Sequence, residues 1–159
     1  MKADIDSLVQ DARPPKAALR VVNPLIRFLL RTPVARSIRP LVVLDFRGRQ
    51  TAQRRRVVVG WHIVDGKPVV LTPAGWRANF TDGRPATVHW RGRDLDCVGT
   101  LETNPEIVAN VVNTLLRSGT SARSLALRVP AGHTVNATDI TGTRRALVRF
   151  EPIPRSSPT

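Results

Sequence analysis

Apolar side chains along this chain recur first at intervals of three and four, then at intervals of two. Within residues 16–30, Leu19, Val22, Leu25, Ile26, Leu29 and Leu30 repeat with the helical period, interleaved with Arg20 and Arg27. Asn23-Pro24 supplies a helix start inside that stretch, with Asn as cap and Pro at the first helical position. A second short helical piece is expected over residues 33–38, stopping before Pro40. Residues 1–15, which close on Pro14-Pro15, read as a flexible arm.

From Leu41 the period is two. Residues 41–46 are apolar and rich in branched side chains, a strand. Residues 48–53 are polar and turn-like. Residues 56–64 form a second strand, and the unbroken Val57-Val58-Val59 predicts burial on both faces. Asp65-Gly66 signals a hairpin, with residues 68–71 as the returning strand. Residues 72–80 break the alternation and predict a short helical turn carrying Trp76. Strands over 86–91 and 94–102 flank the turn Gly92-Arg93. In the second, Leu95, Cys97, Gly99 and Leu101 share one face, and Asp94, Asp96, Thr100 and Glu102 the other.

The clearest helix covers residues 104–117: Asn104 caps it, Pro105 opens it and Gly119 follows its end. Its apolar stripe is Ile107, Val108, Val111, Val112, Leu115 and Leu116. Further on, residues 125–129 predict a short strand, 136–140 a helical turn and 146–150 a last strand. Residues 152–159, with three prolines and three hydroxyl side chains, read as a disordered tail. Hairpins dominate and one well-capped helix is inserted among them. That order predicts an α+β, mostly antiparallel, barrel-like sheet over residues 16–151 as a single domain, and disfavours a parallel doubly wound sheet. A chain of 159 residues is long enough for one core of this kind.

Charge changes the picture. Lys and Arg number 25 against 12 Asp and Glu, a net charge of +13. Residues 1–60 hold 13 basic and 4 acidic side chains; the remainder holds 12 and 8. All but three of the basic residues are Arg, whose planar fork suits phosphate and carboxylate. An anionic partner is implied: a nucleic acid, an anionic membrane surface or a phosphate-bearing small molecule. Aromatic residues make up only 4% of the chain, and no stacking platform or recognition-helix motif occurs, so no specific nucleic-acid partner is expected. Lys16, Arg20, Arg27, Arg31 and Arg36 beside the apolar stripe suit peripheral contact with an anionic membrane; the alternative is a helix that packs on the barrel or covers the substrate cleft. With no long uncharged apolar run and no basic-then-apolar leader, the expected location is cytoplasmic.

Conventional catalytic sets are missing. There is no dinucleotide fingerprint, phosphate loop or nucleophile elbow. His62, His89 and His133 lack metal-ligand spacing and read as packing or surface residues, so no metal set and no catalytic residue are assigned. Cys97, the single cysteine, reads as an inert core thiol. Chemistry, if any, must come from a bound cofactor. The positive signal is the run from Asp45 to Arg56. Gly48 permits a tight turn whose amides can face an anion, Thr51 offers a hydroxyl, and five arginines fall within ten residues. The competing reading of this run is a solvated, charged hairpin.

At this point the sequence resembles the deazaflavin-dependent nitroreductase and quinone-reductase family of split β-barrel proteins. The likeness runs from about Asn23 to Glu102. It rests on Asn23-Pro24-Leu25-Ile26-Arg27, Gly48-Arg49-Gln50-Thr51-Ala52, Val57-Val58-Val59-Gly60-Trp61, Asp65-Gly66, Trp76-Arg77-Ala78-Asn79-Phe80 and Arg91-Gly92-Arg93, in the family's order. The resemblance implies a split β-barrel that binds coenzyme F420, a 5-deazaflavin, with flavin mononucleotide (FMN) as the alternative. It implies Arg49, Gln50, Thr51, Arg54, Arg55 and Arg56 for the anionic tail, Val57, Val58 and Val59 for backbone contacts to the ring, and Trp76, Arg77 and Asn79 beside it. Trp76 also reads as a core aromatic plugging the barrel. The implied activity is hydride transfer between the reduced cofactor and a small organic acceptor such as a quinone or nitro compound. The alternative is a non-catalytic binding protein of the same fold; family analogy adds a homodimer. The chain departs from the family pattern at Gln50, at Ala52 in place of a turn Gly, and at Trp61 in place of Tyr. It contains no Tyr at all, so no phenol can protonate a reduced substrate.

Overall fold

The computed structural model describes residues 9–11 and 41–154. The helices read at 16–30 and 33–38, and the membrane contact attached to them, lie outside the described residues. The strands are β1 (Gln10–Asp11), β2 (Leu41–Arg47), β3 (Arg54–Gly60), β4 (His62–Val64), β5 (Lys67–Thr72), β6 (Arg84–Trp90), β7 (Arg93–Glu102), β8 (Leu127–Arg128) and β9 (Ala146–Pro152). Helix α1 covers Pro105–Arg117 and α2 covers Ala137–Thr143, with 3₁₀ turns at Gly75–Phe80 and Ala122–Leu125.

Seven strands form one antiparallel sheet in the order β3-β2-β6-β7-β9-β5-β4. Strands β3 and β4 stand at opposite ends of that order, yet only Trp61 separates them in the chain. The sheet therefore has to curl until its two edges meet. Since β3 and β4 do not hydrogen-bond to each other, the result is a barrel with a split. The α+β, mostly antiparallel barrel read from the sequence is the architecture observed.

Apolar side chains fill two cores, one on each face of the curled sheet. Inside the barrel lie Val42, Leu44, Phe46, Val70, Phe80, Val88, Cys97, Val148 and Phe150. Outside it, α1 and α2 lay Val108, Val112, Leu115 and Ile140 over Val69 of β5 and Leu147 of β9. Strands β5 and β9 are thus buried on both faces, because alternate side chains enter alternate cores. Local chemistry places the helices. Asn104 Oδ1 accepts from the Glu106 amide at 3.0 Å. At α2 the Asn136 side chain and Asp139 cap each other reciprocally, and His133 Nε2 lies 2.7 Å from Asp139 Oδ2. The Asp65-Gly66 turn has φ of 51° and 73°, the paired left-handed residues that match strand twist.

Several expectations are corrected. The Val57–Val59 run is not buried on both faces: only Val59 is buried, because β3 is an edge strand. That strand begins at Arg54, and the chain breaks at Trp61 where it crosses from one edge to the other. The stretch read as an arm contains Val9, which is buried, and β1, which pairs with β8. Pro152, read as the start of a disordered tail, closes β9 opposite Cys97. Ile107, expected in the apolar stripe of α1, is exposed, and Ala109 is buried instead.

Candidate cofactor-binding site

The β2–β3 turn is held by its own backbone. The Gly48 amide donates to Gln53 O and the Ala52 amide to Gly48 O, both at 2.9 Å. Arg47 Nη1 donates to Ala52 O at 3.1 Å. The left-handed residue of this turn is Ala52, with φ 53°, rather than Gly48. Gly48 is closely approached: a Cβ there would meet Thr51 Oγ1 at 3.0 Å, so that hydroxyl would have to give way, and Arg55 Nε at an ordinary 3.6 Å.

The turn is tied to the Trp76 segment. The Arg49 amide donates to Asn79 Oδ1 at 2.8 Å, while Asn79 Nδ2 donates to Trp76 O at 2.7 Å. Trp76, half-buried, packs on Phe46 (5.9 Å between centroids) and edge-on to Phe80 (6.0 Å). Both readings of Trp76 therefore meet at one place: its ring leans on the barrel core and still shows a partly exposed surface beside the basic turn. Asn79 joins the two segments, with both of its polar atoms engaged inside the protein.

The arginines expected to converge do not. Successive strand residues point to opposite faces, so Arg54 and Arg56 leave one side of β3 and Arg55 the other. Register fixes which side is which. Asp45 of β2 pairs with Arg56, and Phe46, a core residue, pairs with Arg55. On the outer face Asp45 is only 7% exposed. Arg54 Nε donates to both of its oxygens (3.0 and 2.9 Å) and Nη2 to Oδ2 (2.6 Å), and Arg56 Nε donates to Oδ2 at 2.8 Å. His89 of β6 lies between this carboxylate, at 3.5 Å, and Asp94 of β7, at 2.6 Å. The hydrogen bonds from Arg54 hold the Asp45 carboxyl well below the usual carboxylate range; burial opposes this and Arg56 reinforces it.

This counter-anion was missed in the sequence. The signal was present: Asp45 is the only acidic residue between Asp11 and Asp65, set in an apolar strand. Part of the positive charge around Arg54 and Arg56 is thus met inside the protein, one carboxylate against two guanidinium groups.

What remains at the turn is smaller. The side chains of Arg49 and Arg55 have no hydrogen-bond or ion-pair partner among the described residues, and neither do the amides of Gln50 and Thr51. Thr51 Oγ1 accepts weakly from the Gln53 amide at 3.4 Å. Arg77, expected beside the ring, donates through Nη1 to Thr72 O (3.0 Å) and Arg144 O (2.6 Å), and burial lowers its pKa. It clamps the 3₁₀ turn to the loop after α2. Val57 packs into the barrel core, while Val58 shares the outer face with Arg56. Cys97 is fully buried, and burial with Asp96 nearby pushes its thiol up to about 11, which suits an inert core group.

No protein-family model and no curated relative matches the sequence. Two solved structures are similar in part. General stress protein 26 from Bacillus anthracis shares 10% identity at a TM-score of 0.41, over 82% of this chain and 88% of that one. The conserved hypothetical protein Rv2991 from Mycobacterium tuberculosis shares 12% identity at a TM-score of 0.43, over 94% of each chain. Likenesses of this size say nothing about what this chain binds. The described residues include no helix long and apolar enough to cross a membrane.

Proposed function

We propose that this protein binds a flavin-type cofactor, a flavin or a 5-deazaflavin, at the barrel mouth between the Gly48–Ala52 turn and the Trp76 segment. One observation carries the reading: the Arg49–Asn79–Trp76 hydrogen-bond chain brings a turn whose Arg49 and Arg55 side chains have no partner among the described residues beside a half-buried indole. A cofactor of this type has those two needs, an anion receptor for its tail and an apolar wall for its ring. Two amides and two guanidinium groups without a partner among the described residues, and a glycine whose Cβ would lie 3.0 Å from Thr51 Oγ1, fit the tail. Trp76 and Val57 fit the ring.

When bound, such a cofactor supplies hydride chemistry to a small organic acceptor, such as a quinone or nitro compound. The chain's own residues then bind, orient and exclude water. The scarcity of acid/base groups accords with that division. A non-catalytic binding protein is the second reading. It is favoured by the pinning of Arg77 on two carbonyls and by the absence of tyrosine from the sequence, which leave no proton donor beside Trp76 among the described residues.

Titration of the full chain with FMN and with coenzyme F420, followed by fluorescence, tests binding. Saturation at micromolar concentration is expected with at least one, and saturation with neither would end the proposal. Turnover of a quinone or nitroaromatic panel with reduced cofactor separates the reductase from the binding protein.

A further inference from the structure

We infer that the tail this site reads is a single phosphate monoester, as in FMN, and that Arg55 is the residue that selects for it, while Arg54 and Arg56 take no part. This rests on the cofactor reading above and narrows it to one ligand class.

The argument is a partition of charge by strand geometry. Three consecutive arginines on a strand cannot serve one ligand side by side, because the pleat sends the middle one to the opposite face. Here Arg55 faces the barrel mouth, sharing its face with Phe46, and lies along Gly48. Arg54 and Arg56 face outward and grip a nearly buried carboxylate. To reach a ligand at the mouth they would have to leave Asp45 desolvated and unpaired, which opposes the move.

Among the described residues, the anion receptor on this face is therefore Arg49, Arg55 and the amides of Gln50 and Thr51; Arg47 pairs with Arg54 on the outer face and its Nη1 is held by Ala52 O. Two guanidinium charges match one phosphate monoester, which carries about −1.5 to −2 at neutral pH. A longer tail with a phosphodiester and several carboxylates would find no further cations from β3 itself on that face, since beyond Arg55 the strand continues with Val57 and Val59.

The test is an equilibrium titration of the full chain with FMN, riboflavin and coenzyme F420 carrying several glutamates, in the native protein and in Arg55→Gln and Arg54→Gln variants. Both substituted side chains are exposed, and in Arg54→Gln the Arg56 guanidinium still pairs Asp45, so folding should persist; circular dichroism and the urea midpoint check it. FMN should bind about 30-fold more tightly than riboflavin, the size of one or two charge-assisted hydrogen bonds. Arg55→Gln should abolish most of that preference, and Arg54→Gln should leave it within about twofold. If Arg54→Gln costs as much as Arg55→Gln, or if the glutamate-bearing coenzyme binds more tightly than FMN, the tail assignment falls and the cofactor reading stands. If none of the three binds, both fall.

Discussion

Replacing Gly99 by alanine should unfold this protein more readily than any conservative surface change, and the reason lies in two rings. Gly99 sits on the inner face of β7. A Cβ built there would lie 2.6 and 2.9 Å from Phe80 Cδ1 and Cε1, and 2.8 Å from Phe150 Cε1. Ordinary carbon contacts begin near 3.5 Å, so each ring must retreat by up to about 1 Å. Neither ring has room. Both are fully buried, they meet edge-on at 5.7 Å, and Phe80 also packs on Phe46 at 5.2 Å and Trp76 at 6.0 Å. Adding one methyl group to a filled core costs about 1–3 kcal/mol, which for a chain of this size lowers Tm by about 3–10 °C. Phe80 ends the 3₁₀ turn that carries Trp76 and Asn79, so displacement of its ring should also loosen the Asn79–Arg49 tie. Urea unfolding is the assay. The midpoint should fall with the slope unchanged. Removing the obstruction in a Gly99→Ala, Phe80→Leu double variant should cost less than the two single changes summed. A Gly99→Ala midpoint indistinguishable from the native one, or strict additivity in the double variant, would refute the packing argument.

Three other outcomes are expected. Ala52→Gly should raise stability by about 0.5–1 kcal/mol in urea unfolding: it relieves a left-handed alanine worth about 1–2 kcal/mol and restores some chain entropy to the unfolded state. Asp45 has its folded pKa lowered, so its stabilising effect is present above the unfolded carboxylate range near 4 and is lost as pH falls through and below it. Asp45→Asn should flatten the fall in stability between about pH 5 and 2, measured by urea midpoints across that range. Asn79→Ala removes the acceptor for the Arg49 amide; hydrogen exchange at Arg49 should rise several-fold while β7 amides stay protected, and equal protection in both proteins would count against Asn79 as the positioning residue.

The local elements were readable because their causes are local. Asn104-Pro105 caps and opens α1, Asp65-Gly66 supplies the two left-handed residues of a hairpin, and the face pattern of β7 follows from simple alternation. The barrel's antiparallel character followed from hairpins one after another. The separation of Arg55 from Arg54 and Arg56 was not readable, because the sequence predicts the strand only from residue 56, whereas β3 starts at Arg54 and its pleat sends neighbours to opposite faces. Pairings between distant segments were not readable. β1 meets β8 across more than a hundred residues, and β3 becomes an edge strand only because the sheet continues from β2 through β6 instead. That choice leaves Val57 and Val58 only half-buried, where the apolar run by itself predicts full burial.

Sequence alone determined most of the described strands and the helix that Asn104 caps, where the hairpins turn, and that positive charge gathers around the first hairpin. Tertiary structure decided what that charge does. The register of β2 against β3 sets Asp45 opposite Arg56, and the curl of the sheet turns Arg55 toward the barrel mouth while Arg77 is drawn onto two backbone carbonyls. Propensity and periodicity act over a few residues, whereas the partner of a charge is whatever the folded chain brings within about 4 Å of it.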